Sequence, residues 1–325
     1  MISRAIPLLL FCLISTGCTF SRPGTASIPI AFPGPPALPE IIEAINANSS
    51  RVQQLHSDNV RLSTRMIGLN ATLDFEKTAD PSGPGRFRLS GKAFGSRQLD
   101  LGSNDREYWM WVKQNQPPTV FYGRHNEFHR SAARQILPMP PSWIIEALGI
   151  VHIDPQAPHE IYQSQHGTDS LLQIRSLIPT PHGQLTRVLE VDWNRALIVQ
   201  HQIYDANRQL LAVADATDFT YDTLNGVALP RSVKVKLPPA GLNFDFEVDS
   251  YTINEPITNP MTLWSMPEIP GHQYRNLADP RDMQGINLMG TGTDFYDSGS
   301  MVGAPIAPTT KRTAWLRVPS LTMFR

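Results

Sequence analysis

Two cysteines, Cys12 and Cys18, are all that the chain contains. Everything after residue 18 is therefore without a disulfide, and the roughly three hundred residues that follow must be held by burial alone. An excess of either charge is missing too: Lys+Arg 28 stand against Asp+Glu 29, a formal net charge of −1. Nothing in that balance offers the basic surface that nucleic acid requires. Long apolar runs are scarce, and Ala5–Ile14 is about half of the ~20 residues that a helix needs to cross a bilayer core.

Catalytic signatures are also lacking. No Gly-x-Ser-x-Gly elbow, Walker loop or strand-linked Gly-x-Gly-x-x-Gly occurs, and Gly290-Thr-Gly-Thr has neither a preceding strand nor a lysine. His125 and His129 stand four apart, but Tyr122-Gly123 before them reads as a strand entering a turn, so no metal is expected there. His152, His159, His166 and His182 have no cysteine or carboxylate at ligand spacing. The expectation is a binding protein with no cofactor, not an enzyme.

What the chain does have begins at its start. Arg4, the apolar run Ala5–Ile14 and Ser15-Thr16-Gly17-Cys18 follow the n-region, h-region and small-residue order of a secretory signal. Small residues directly before Cys18 resemble the lipobox of bacterial lipoproteins. The resemblance implies removal of residues 1–17, a lipid on Cys18 that anchors the protein to a membrane, and, because Thr19 is not Asp, the outer membrane facing the periplasm. Residues 18–39 carry Pro23, Pro29, Pro33, Pro35, Pro36 and Pro39 and read as a semi-extended tether.

A helix is predicted from Pro39, with Glu40 and Glu43 suited to its N-terminus and Ile41, Ile45, Val52 and Leu55 on one face. Period-two alternation then predicts strands: Val60-Leu62-Thr64-Met66, Ala71-Leu73-Phe75 and Phe87-Leu89-Gly91-Ala93. Glu107–Val112 is apolar on both faces and should be covered on both. A second set of strands is expected between Leu171 and Tyr251. Between the sets, Leu137, Met139, Trp143, Ile144, Ala147 and Leu148 form a Pro-interrupted apolar segment with one short helix. From Pro260 the periodicity fades, and residues 260–325 read as a poorly ordered tail.

This succession, over residues 40–259, resembles the LolA/LolB-like lipoprotein carriers. Phe87-Arg-Leu89, Phe94-Gly-Ser96, Leu99-Asp-Leu-Gly-Ser103 with Tyr108-Trp109, Val191-Asp192, Ile203-Tyr-Asp205 and Gly226-Val-Ala-Leu-Pro230 carry the likeness. It implies a mainly β fold, an incomplete antiparallel barrel with an N-terminal helix and a short helical lid over an apolar cavity. Alternation and the lid segment point to Met66, Phe75, Leu89, Trp109 and Trp143 as cavity-lining residues. In the family's membrane-anchored receptor an exposed apolar residue precedes a Gly-Ser pair, and Phe94 matches it, implying contact with membrane or cargo. Two readings follow: a protein that binds or carries lipid or lipoprotein acyl chains, and a structural envelope lipoprotein that binds a protein partner.

Overall fold

The computed structural model describes residues 26–64, 67–78, 85–115, 117–130, 138–163, 170–180, 183–279 and 281–282, with the backbone alone at 129–130. Cys18, Met66, His166, His182 and the tail beyond 282 lie outside these residues. The chain divides after Met289, so every described residue belongs to its first unit.

Helix α1 (Leu38–Ser50) starts as Pro39 and Glu40 dictate, with the Glu40 carboxylate accepting the Ala37 backbone N–H at 2.7 Å. Ile41, Ile42 and Ile45 are buried. Val52 and Leu55, expected on the same helical face, lie beyond its end, Val52 buried from the link and Leu55 from the strand that follows. The polar positions are structural: Asn46 clasps Ile153 through both its N–H and its C=O, and Asn48 clasps Ala228 in the same way.

The strands are β1 (Gln54–Thr64), β2 (Gly68–Glu76), β3 (Arg86–Ala93), β4 (Ser96–Ser103), β5 (Glu107–Val112), β6 (Thr119–Arg124), β7 (His159–Gln163), β8 (Leu171–Thr180), β9 (Gly183–Asp192), β10 (Leu197–Tyr204), β11 (Leu210–Asp222), β12 (Val227–Leu237), β13 (Leu242–Val248), β14 (Thr252–Ile253) and β15 (Gln273–Asn276). They form one sheet in the order β15-β6-β5-β4-β3-β2-β1-β13-β12-β11-β10-β9-β8-β7, with β14 on β1. β1 joins the two halves by pairing with both β2 and β13. Among the described residues the edge strands β15 and β7 do not meet. The sheet is curved and unclosed, the incomplete barrel that the resemblance implies.

Alternation decides which side chains face inward. Leu69, Ala71, Leu73 and Phe75 of β2, Phe87 and Leu89 of β3, and Val233 and Val235 of β12 join one apolar cluster on the concave face. A short helix, α2 (Trp143–Ala147), lies on that cluster with Trp143, Ile144, Ile145 and Leu148 buried. Helix α1 covers the rest of the concave face, packing its isoleucines on Leu172, Ile174, Leu189 and Val191. Full burial of each large apolar side chain contributes about 1.5–3 kcal/mol, which replaces what disulfides would otherwise supply.

The outer face of β3–β5 is covered by a strap that the sequence pattern had assigned to the tail. Helix α3 (Pro260–Leu263) and Trp264 lie across it, Arg88 donating to the Leu263 carbonyl at 3.0 Å and Asn104 to that of Trp264 at 3.1 Å. The strap ends in β15, which pairs parallel with β6. Its residues hold on by backbone hydrogen bonds and one buried indole, neither of which leaves a periodic apolar pattern.

Candidate functional site

Of the five residues expected to line a cavity, the structure brings three together. Phe75, Leu89 and Trp143 are buried in the one concave-face cluster. Met66 lies outside the described residues. Trp109 is a correction: it stands on the outer face, where its indole N–H donates to Asp100 at 2.9 Å. Its place follows from register, since Trp109 pairs with Gly102, whereas Leu101, one residue away, pairs with the concave-face Leu89. A Cβ at Gly102 would come within 2.1 Å of the Trp109 ring, so glycine is what lets the indole lie across the strand. Glu107–Val112 is covered on both sides as expected, Tyr108 by Phe121, Phe128 and Leu277, and Trp109 and Trp111 beneath the strap.

The concave face is occupied by the chain's own α2, so among the described residues it presents no open apolar bowl. That packing is unfinished at one point. Arg187 of β9 and His201 of β10 point inward among Leu185, Leu189, Ile203, Ala212 and Ala214. The Glu146 carboxylate of α2 faces both, Oε2 lying 3.8 Å from Arg187 Nη1 and 3.9 Å from His201 Nε2, outside hydrogen-bond distance. Arg187 Nη1 donates to the His152 carbonyl at 3.3 Å, but its Nε, both His201 ring nitrogens and the Trp143 indole N–H are buried with no partner among the described residues. The imidazole lies 5.4 Å from the Trp143 ring. Burial holds His201 well below its usual pKa of 6.5, and Arg187 adds to the effect, so the ring is neutral. Burial pushes the Glu146 carboxyl up while Arg187 pulls it down. Even so, 40% of the Glu146 side-chain surface is open, so its carboxylate stands at the edge of the cluster and reaches solvent.

Sequence reasoning missed this cluster. Its trace is there, because Leu185-x-Arg187-x-Leu189-x-Val191 puts one cation in an inward-facing apolar series. Only the fold reveals that His201, fourteen residues on, and Glu146 of the lid meet it.

Phe94 lies where the sequence placed it, in the two-residue turn between the directly paired Ala93 and Ser96. Its side chain is 92% exposed. Phe94 and Gly95 take φ of 50° and 73°, the type I′ pattern in which Asn-Gly is preferred and a bulky residue is strained. Exposed Lys92, Arg97 and Lys113 surround the turn, Lys113 reaching the Ser96 hydroxyl at 2.9 Å. An aromatic tip ringed by cations is suited to an anionic lipid surface. On the outer face of β1, β12 and β13 an open groove of about 550 Å³ is lined by Asp58, Arg61, Asp218, Arg231, Glu247 and Asp249, a polar surface unsuited to acyl chains. Among the described residues no three His, Cys, Asp or Glu side chains come together as metal ligands.

Comparison with known proteins places solved structures beside this geometry. A domain named for outer membrane lipoprotein sorting, from Vibrio parahaemolyticus, is similar over 69% of this chain and 98% of its own, with 7% identity and a TM-score of 0.49. A DUF1329 family protein from Desulfovibrio piger is similar over 69% and 97%, with 10% identity and a TM-score of 0.46. A LolA superfamily protein from Nitrosomonas europaea is similar over 70% and 96%, with 10% identity and a TM-score of 0.42. The fold itself rests on the strand order and pairing of this chain: a mainly β, curved and unclosed sheet with an N-terminal helix. No family profile matches the chain, and no curated protein matches it in sequence. At such identities and TM-scores no residue role carries over from these structures, and the residues under α2 must be read on their own chemistry.

Proposed function

We propose that this is a bacterial envelope protein, anchored to a membrane by a lipid on Cys18, whose concave sheet face takes an acyl chain of a lipid or lipoprotein once α2 moves aside. The supporting observation is the unfinished packing under α2. Apolar cores are completed with their polar groups paired, since each buried unpaired group costs about 1–3 kcal/mol. Here Arg187 and His201 beneath a helix of only five residues, and Trp143 at its start, keep atoms without a hydrogen-bond partner among the described residues. A permanent core layer would satisfy them, whereas a lid that exchanges with a ligand need not. Phe94 and the cations around it would bring the domain to the membrane or to cargo.

Native mass spectrometry of the Cys18→Ser protein tests the reading. Co-purified lipid, or saturable uptake of a dodecyl probe after delipidation, is the expected result. A protein that carries no lipid and takes up none overturns it. The outer groove favours the second reading, a module that binds an envelope protein through Arg61, Arg231 and the surrounding carboxylates. In that case cross-linking in the envelope would capture a partner, and Arg61→Glu would abolish the capture.

A further inference from the structure

We propose that the cluster of Arg187, His201 and Trp143 beneath α2 seats an anionic head group once α2 moves aside, so that the ligand of the concave face is an amphiphile with a carboxylate at one end and not a neutral chain. The inference rests on the acyl-chain reading above. A guanidinium stays charged at any pH the protein meets, and inside an apolar sheet face it needs an anion close by. Arg187 has only a loose one: the Glu146 oxygen stops at 3.8 Å, an ion pair too long for a hydrogen bond, and Nε has no acceptor among the described residues. The Trp143 indole N–H adds a donor without an acceptor among the described residues, and beside it the neutral His201 imidazole has only a weak interaction with the Glu146 backbone. A carboxylate is the group that accepts from several such donors at once. The neighbouring inward positions on β11 are the small residues Ala212 and Ala214, opposite Ile203 and His201.

Glu146 is then an internal stand-in for the ligand's head. It rides on α2, whereas Arg187 and His201 are fixed to the sheet. When α2 leaves the concave face it withdraws the only carboxylate near Arg187 among the described residues, and the cation is left in apolar surroundings where electrostatic attraction is strongest. A chain that brings its own negative charge replaces what the lid removes; an uncharged chain of equal length does not. The lid and the ligand therefore compete for one cation, and weakening Glu146 must favour the ligand.

Isothermal titration of the full chain carrying Cys18→Ser, with dodecanoate and with 1-dodecanol at neutral pH, tests this. Dodecanoate is expected to bind at least tenfold more tightly than the alcohol. Arg187→Met should reduce the acid to the alcohol's affinity and leave the alcohol unchanged. Should Arg187→Met fail to fold, Glu146→Gln at the more open position decides: tightening of the acid by severalfold with no change for the alcohol is expected. Equal binding of acid and alcohol, or an equal shift of both in Glu146→Gln, overturns the head-group site while leaving the acyl-chain reading intact. Binding of neither molecule overturns the acyl-chain reading itself, and this inference with it.

Discussion

At the scale of single residues, Asp100 shows how much one buried carboxylate holds. Its side chain is fully buried and accepts from Arg88 through both oxygens, from the Trp109 indole at 2.9 Å, and pairs with Arg97 at 3.1 Å. Asp100→Ala leaves a largely buried guanidinium unpaired, and breaking such a pair costs about 3–5 kcal/mol. Urea unfolding should show a loss of that size, and a loss under about 1 kcal/mol would mean that the network is incidental. Phe94 is the opposite case, because the fold would be better without it. Phe94→Asn relieves the left-handed strain at a turn that prefers Asn-Gly, so it should raise stability by about 0.5–1 kcal/mol. The same variant should lose binding to anionic liposomes. Lowered stability would show that the aromatic packs on the sheet after all.

At the scale of elements, α2 and the strap make separate predictions. Beneath α2, His201 and Glu146 titrate with opposite sign, facing each other and Arg187. His201 is held below 6.5, chiefly by burial, so the stability it contributes is present above 6.5 and is lost as pH falls toward its folded value. Glu146 is raised by burial, so its contribution is present below the ordinary value of 4.5 and is lost as pH rises through its folded value. His201→Gln removes the first effect alone. Its stability relative to the unaltered protein should therefore improve as the pH is lowered from roughly 7 to 5, measured from urea midpoints. A difference that stays flat with pH would mean that the imidazole is not buried in its neutral form. On the other face, Trp264 is buried where the strap is tied to Arg88 and Asn104. Trp264→Ala should cost about 3–5 kcal/mol and open the amides of β15 to hydrogen exchange before those of β1.

At the scale of the molecule, the lipid anchor proposed at Cys18 and the exposed Phe94 have to be compatible with one membrane. The N-terminal segment docks where Ala31 and Phe32 donate to the Asn194 carbonyl in the β9–β10 turn. Following the antiparallel order, that turn lies on one rim of the sheet and the β3–β4 turn bearing Phe94 on the other. Residues 18–31 can span at most about 45 Å, while strands of this length run about 25–35 Å, so both can meet one membrane with the domain lying along it. Cys18→Ser should move the protein from the membrane pellet to the soluble fraction. If the variant stays in the pellet, the lipid anchor is wrong.

The sequence alone determined the class of fold, since alternation in β2, β3 and the strands after Leu171 is a local property that names the apolar face of each strand. It also marked the start of α1, the apolar segment that becomes α2, and the exposed turn at Phe94, because caps, lids and tight turns are written in adjacent residues. It could not set which strand faces align across the sheet. One step of register separates Leu101 from Gly102 and sends Trp109 to the outer face. The strap was illegible because backbone hydrogen bonds carry no residue pattern. The meeting of Glu146, Arg187 and His201 was decided by tertiary structure alone, for three separated positions become one site only when the sheet curves beneath its lid.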